Sequence, residues 1–320
     1  MVSVLQSTLT IILSAEFAIG NLGNGFIALV NCIDWVKRKE ISSADQILTA
    51  LAISRIGLLW LVSINWYISV FFRILLLPGK TLRISSIGWT VTNHFNNWLA
   101  TILSIFYFLK IANFSNSIFL YLKWRVKKVI SVILPVTSVL LMFNIALINM
   151  HINVWISEHK INMTCSSRMS NFAQLSTLTL FTNTLFTFIP FAVSLVTFLL
   201  LIFSLWKHLK KMQHNAKGSR NASTEAHIKA MKSVIAFLLL FAIFFLSLFA
   251  SIWNSTFLER KLIIMFCQVI GIVYPAGHSY VLILGNNKLR QAFLSVLWWL
   301  RSKMENLQAH RSFRDSSCTC

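Results

Sequence analysis

Acidic residues are scarce. Nine Asp and Glu stand against 29 Lys and Arg, and the four types together make up only 12% of 320 residues. A water-soluble domain carries about 25% charge. With 56% hydrophobic residues, 26 Phe and 11 Trp, the chain lacks the polar side chains needed to cover its apolar surface. A soluble globular enzyme is therefore excluded, and part of the solvent must be lipid. Ten Gly and four Pro are too few for a fibrous or disordered chain. Metal-ligand spacing is missing as well: the five cysteines (Cys32, Cys165, Cys267, Cys318 and Cys320) form no C-x-x-C or His/Cys cluster. No Gly-x-Ser-x-Gly, Gly-rich phosphate loop or carboxylate pair appears. No catalytic set and no cofactor are expected.

What is present is hydrophobic length. Mean hydropathy is +0.70, and a span needs roughly 20 mainly apolar residues to cross about 30 Å of hydrocarbon. Seven stretches qualify: about 8–33, 46–71, 86–109, 129–149, 180–206, 233–258 and 262–285. The third is the most polar, and a window average tends to miss it. Period-2 alternation is absent, which excludes a β-barrel and leaves helices. The expected fold is all-α, a seven-transmembrane-helix bundle over 1–293 with a tail over 294–320. The longest expected connection is 150–179.

The formal charge of +20 does not point to nucleic acid, because the bases sit between apolar runs, as at an anionic membrane face. Lys37, Arg38 and Lys39, the group from Lys110 to Lys128, the group from Lys207 to Lys232 and the bases after 285 fall on one side. They outnumber Arg73, Lys80, Arg83, Lys160, Arg168, Arg260 and Lys261 on the other. The richer side is cytoplasmic, so the N-terminus is expected outside and the C-terminus inside. No cleaved signal peptide is read at the start. Neither a 20–50-residue repeat nor two similar halves are visible.

Only Cys165 falls in an outer connection, so no disulfide can join two outer loops. Cys318 and Cys320 read as palmitoylation sites or as plain thiols. Four Asn-x-Ser/Thr sequons start at Asn113, Asn162, Asn221 and Asn254. The topology puts Asn113 and Asn221 inside. Asn162, mid-connection, is the expected glycosylation site, with Asn254, near the membrane surface, a weaker one.

Polar side chains within spans are costly and are functional suspects. Arg55 lies mid-span and reads as a hub joined to Asn24 and to His278 and Ser279, whose breaking accompanies switching. Glu16 either pairs with a neighbour or is protonated. In the third span, helical spacing puts Trp89, Asn93 and Asn96 or Asn97 on one stripe. An aromatic plate over an amide suits a small molecule of mixed polarity, while interhelical hydrogen bonding is the plainer reading. His94 is rotated from Asn93 by about 100°. On the inner side Lys110, Arg125, Lys207, His208, Lys210, Lys211 and Lys229 form a cationic mouth, for lipid headgroups or for an intracellular partner.

These residues carry a family resemblance. Gly20-Asn21-Leu22-Gly23-Asn24-Gly25, the run Ile41 to Arg55, Phe106 to Ser115, Ser204 to Leu209, and His278-Ser279 followed by Leu284 to Arg290 resemble the type 2 taste receptors, the bitter receptors. The resemblance covers residues 20 to 293. It implies a G-protein-coupled receptor of the plasma membrane for bitter small molecules, coupled to gustducin-like or related inhibitory-class G proteins. It further implies pocket positions at Trp89, Asn93, Phe244 and Gln268. Several relatives have Tyr at Phe244 and Glu at Gln268, so this pocket lacks their acid. A small-molecule transporter or channel is the alternative, disfavoured by the apolar inner halves of spans four to six.

Overall fold

The computed structural model describes residues 2–38, 41–71, 79–159, 165–215, 222–252 and 257–317. All regular structure among them is helical: α1 (Val2–Arg38), α2 (Ser43–Phe71), α3 (Gly79–Ile111), α4 (Ser117–Trp124), α5 (Val126–His159), α6 (Cys165–Asn215), α7 (Ala222–Ile252), α8 (Phe257–Gly285) and α9 (Asn287–Ser317). Packing closes a ring, with α1 on α2, α2 on α3, α3 on α5, α5 on α6, α6 on α7, α7 on α8 and α8 back on α1. In addition α3 packs against α6 across the ring, so its polar stripe faces protein on several sides.

Among the described residues, six helices, α1, α2, α5, α6, α7 and α8, are long and apolar enough to cross a membrane. The missing one is α3, whose amides and hydroxyls lower its hydropathy while its buried face holds Asn93, His94, Asn96, Asn97, Thr101 and Ser104. Outward-facing apolar residues such as Ile11, Leu22, Val139, Leu239 and Leu246 are exposed, an apolar girdle that water would not tolerate. This is a helical membrane bundle.

Among the described residues, three prolines sit inside helices: Pro135 in α5, Pro190 in α6 and Pro275 in α8. An interior proline leaves the carbonyl four residues back without its N–H partner. Two of these prolines are also contacted at their own carbonyls from neighbouring helices. The Thr101 hydroxyl lies 3.1 Å from the Pro190 carbonyl, and Asn24 donates to the Pro275 carbonyl at 3.1 Å. Glycine lets α1 approach closely: a Cβ on Gly20 would lie 2.7 Å from Leu59 and 3.1 Å from Ala276. The α6–α7 seam is aromatic, with Phe191 stacked on Phe245 at 4.4 Å and Phe198 against Phe237 at 4.6 Å.

Several sequence expectations are corrected. The connection expected over 150–179 is largely helix, because α5 continues to His159 and α6 starts at Cys165. Nothing in 165–189 breaks a helix, and backbone bonding continues past the apolar segment; α6 has 51 residues, about 75 Å at 1.5 Å each. The sixth span ends at Ile252, and residues 257 and 258 begin the next helix. The expected tail boundary at 293/294 falls inside α9. Helix α4, unexpected from hydropathy, starts where the Asn116 side chain accepts from the Ile118 amide at 2.8 Å, an N-cap signal legible in sequence. It is pinned by Lys123, which donates to the Ala112 carbonyl at 2.8 Å. Asn162, Asn221, Asn254, Cys318 and Cys320 lie outside the described residues.

Candidate functional site

The buried stripe of α3 divides between two neighbours. Toward α6, Asn93 donates to the Thr187 hydroxyl at 3.1 Å and accepts from Asn97 at 3.1 Å. Toward α2, Asn96 accepts from Arg55 Nε at 3.2 Å and donates to Asn97 at 3.2 Å. Each amide spends its oxygen on one neighbour and its nitrogen on the next, so none of the four groups is idle.

Beside Asn93 lies a cavity of about 10 Å³ lined by Thr90, Asn93, His94, Asn97 and Trp98 of α3, Asn144 of α5, and Phe186, Thr187 and Pro190 of α6. That volume is room for about one water. Its wall is polar: Thr90 and Asn144 both donate to Asn183 Oδ1 at 3.2 Å, while His94 Nε2 and Asn144 Oδ1 are buried without a hydrogen-bond partner. Composition had not singled out Asn144, Asn183 or Thr187. The signal was available for the two amides, since an Asn within an apolar span is as conspicuous as the Arg that was noticed.

The family-implied pocket residues do not all share this cavity. Trp89 is half-buried and packs between the central core and the cluster of α1, α2 and α8. Phe244 stacks near Phe241 and Tyr274, with ring centroids 6.3 and 5.3 Å away. Its ring borders Gly271 of α8, one turn from half-buried Gln268. Asn93 thus faces α6, while Phe244 and Gln268 belong to the α7–α8 side.

Arg55 is fully buried. Besides Asn96, its Nη2 donates to His278 Nδ1, and its Cζ lies 5.2 Å from the Tyr274 ring centroid. A guanidinium only donates, so Nδ1 must accept and the imidazole proton sits on Nε2. Phe237 packs edge-on against that imidazole at 4.4 Å. The expected membership of the hub is corrected: Asn24 bonds the Gly20 and Pro275 carbonyls, and Ser279 bonds the Ala276 carbonyl of its own helix. Ser279 instead packs against Gly23. The mid-span position of Arg55 suggested these partners, but which neighbour each amide reaches is a tertiary property. Glu16 Oε2 is buried without a hydrogen-bond partner.

At the opposite end, Lys110, Arg125, Lys207, His208 and Lys210 are exposed. Arg125 lies over the Tyr121 ring at 5.0 Å and Lys210 over Trp206 at 5.6 Å. Lys229 is half-buried, its Nζ without a partner, and the Lys211 side chain lies outside the described ones. Nearby, Lys288 at the start of α9 reaches Asp34 at 2.7 Å, Asp45 at 3.2 Å and Asn31 at 3.1 Å, tying α9 to α1 and α2.

The ring of helices thus carries a polar α3 packed on α2, α5 and α6, a buried arginine and one basic end, and comparison settles the family. The profile of the family Taste receptor protein (TAS2R) matches residues 1–301. The chain belongs to the TAS2R family. Taste receptor type 2 member 14 of Homo sapiens is 61% identical over 319 residues, covering 99% of this chain and 100% of the relative. The protein of that name from Papio hamadryas is 60% identical over the same length and coverage. Taste receptor type 2 member 140 of Rattus norvegicus is 56% identical over 297 residues, 93% of this chain and 95% of its own. This TAS2R chain is therefore a bitter taste receptor of the G-protein-coupled class, a membrane protein and not an enzyme.

Proposed function

We propose that this receptor crosses the plasma membrane seven times, through α1, α2, α3, α5, α6, α7 and α8, with its N-terminus outside and α9 in the cytoplasm. The excess of Lys and Arg at the α9 end supports that orientation. The bitter agonist is a small organic molecule bound in the outer half of the bundle, in contact with Trp89, Asn93, Phe244 and Gln268. The observation that carries this reading is the polar cavity at Asn93, where α3 meets α5 and α6. A pocket for an organic ligand spans about 300–1,000 Å³, so an agonist must enlarge this site by parting helices. Binding then favours an arrangement in which they are parted, to the extent that the agonist binds it more tightly. The basic inner end, with Lys110, Arg125, Lys207, His208, Lys210, Lys211 and Lys229, receives a gustducin-like or inhibitory-class G protein, and Arg55 with His278 takes part in the switch.

The test is a panel of bitter compounds read by intracellular calcium at matched surface expression. Trp89→Ala should weaken most agonists, and Asn93→Ala only those with a hydrogen-bonding group. Gln268→Glu should favour cationic over neutral agonists, because a desolvated ion pair outweighs an amide contact. An unchanged ratio of cationic to neutral potencies would remove the seventh-span side of the pocket.

A further inference from the structure

The amides of α3 form one chain with a single polarity. Arg55 Nε donates to Asn96, Asn96 to Asn97, Asn97 to Asn93, and Asn93 to the Thr187 hydroxyl, over 3.2, 3.2, 3.1 and 3.1 Å. All three asparagines are buried, as are Arg55 and Thr187. The chain begins on α2 at a guanidinium that also holds His278 of α8, and it ends on α6 in the wall of the cavity. Hydrogen bonds that run head to tail in a low dielectric polarise one another, so each link depends on the others. A charge at the head strengthens the effect, since the first donor is ionised.

We propose that Asn96 and Asn97 are positioning residues which couple the agonist pocket to the Arg55–His278 hub. This rests on Asn93 being an agonist contact. Asn96 and Asn97 each commit the oxygen and one N–H within the chain, so their orientation is set by its links rather than by a ligand. An agonist that takes the amide of Asn93, or parts α3 from α6 at Thr187, breaks the last link. The amide groups behind it then lose their orienting partner, and the arrangement at Arg55 is no longer favoured. The two readings of the stripe, interhelical bonding and ligand contact, thereby become parts of one device.

Mere proximity is no proof of coupling, which requires an interaction energy between sites that do not touch. Among the described side-chain hydrogen bonds, Thr187 and Asn96 share no direct contact and are linked through Asn93 and Asn97. The experiment uses the full-length receptor in lipid nanodiscs, at equal folded concentration, with a purified heterotrimeric G protein of the inhibitory class and no agonist. Basal nucleotide exchange is measured for wild type, Thr187→Val, Asn96→Leu and the double variant. If the chain is one unit, breaking either end changes basal exchange, and the double variant falls short of the product of the single effects by about fivefold or more, equivalent to about 1 kcal/mol. Asn97→Leu, in the middle, should by itself reproduce the double variant. Single effects that multiply to within about twofold, or singles that leave basal exchange unchanged, overturn the proposal. Because no agonist is used, failure of this cycle is separable from failure of the pocket: the latter appears as unchanged agonist potency in Asn93→Ala.

Discussion

Removing Arg55 takes the one cation out of a fully buried layer of described residues, and the cost can be worked from the contacts. In Arg55→Ala, Asn96 Oδ1 loses the donor at 3.2 Å, and His278 Nδ1 loses its own. Both acceptors stay in a fully buried layer, where an unsatisfied polar group costs about 1–3 kcal/mol. Two of them set a loss on the order of 3 kcal/mol, and the emptied volume beside Tyr274 adds to it. A buried guanidinium without a carboxylate partner is itself expensive, and its removal returns part of that cost. Arg55→Met, which keeps the volume but not the donors, should therefore be less destabilised than Arg55→Ala. A loss of about 3 kcal/mol is a large fraction of the 5–15 kcal/mol of a typical domain. The assay is the ratio of surface to total receptor in cells, followed by the unfolding midpoint of purified protein. Arg55→Ala should be retained inside the cell and melt early, with Arg55→Met between it and wild type. Wild-type surface level, midpoint and signalling in Arg55→Ala would refute the claim that this side chain ties α2, α3 and α8 together.

Other outcomes follow from particular contacts. Gly20→Val should destabilise by about 1–3 kcal/mol through overpacking, since even a Cβ meets Leu59 and Ala276. Gly25→Ala, where a Cβ meets nothing within 4 Å, should raise the unfolding midpoint by improving helix propensity. Lys288→Met removes the cation that pairs with Asp34 and Asp45. With the Lys288 and Asp34 side chains 32% and 27% exposed, the loss is discounted for screening to about 1 kcal/mol. The difference in midpoint from wild type should shrink as salt is raised. Glycosidase treatment should lower the mass of wild type but not of Asn162→Gln. If Asn221→Gln were the variant to lose the shift, the membrane orientation would be inverted.

Hydropathy and charge, read along the chain, were enough for the class of the molecule: a membrane bundle with one basic end. Lipid imposes those properties locally, on each stretch of about 20 residues. The motifs around Asn24, Arg55, Phe106 and His278 carried the family for the same reason, being short runs of contiguous residues. Helical period alone put Trp89, Asn93, Asn96 and Asn97 on one stripe. It could not divide them, because a stripe on a central helix faces several neighbours, and only packing assigns Asn96 to Arg55 and Asn93 to Thr187. Hub membership failed in the same way: Asn24 spends its amide on the Gly20 and Pro275 carbonyls rather than on Arg55. Helix length was also beyond local reading. Apolarity ends where lipid does, but the backbone bonding of α5 and α6 continues past that point until something in the chain interrupts it. Asn144 and Asn183, far from Asn93 in sequence, join its cavity through the packing of α5 and α6 on α3. Side-chain partners across helices depend on rotation and depth together, and those are decided only when the ring closes.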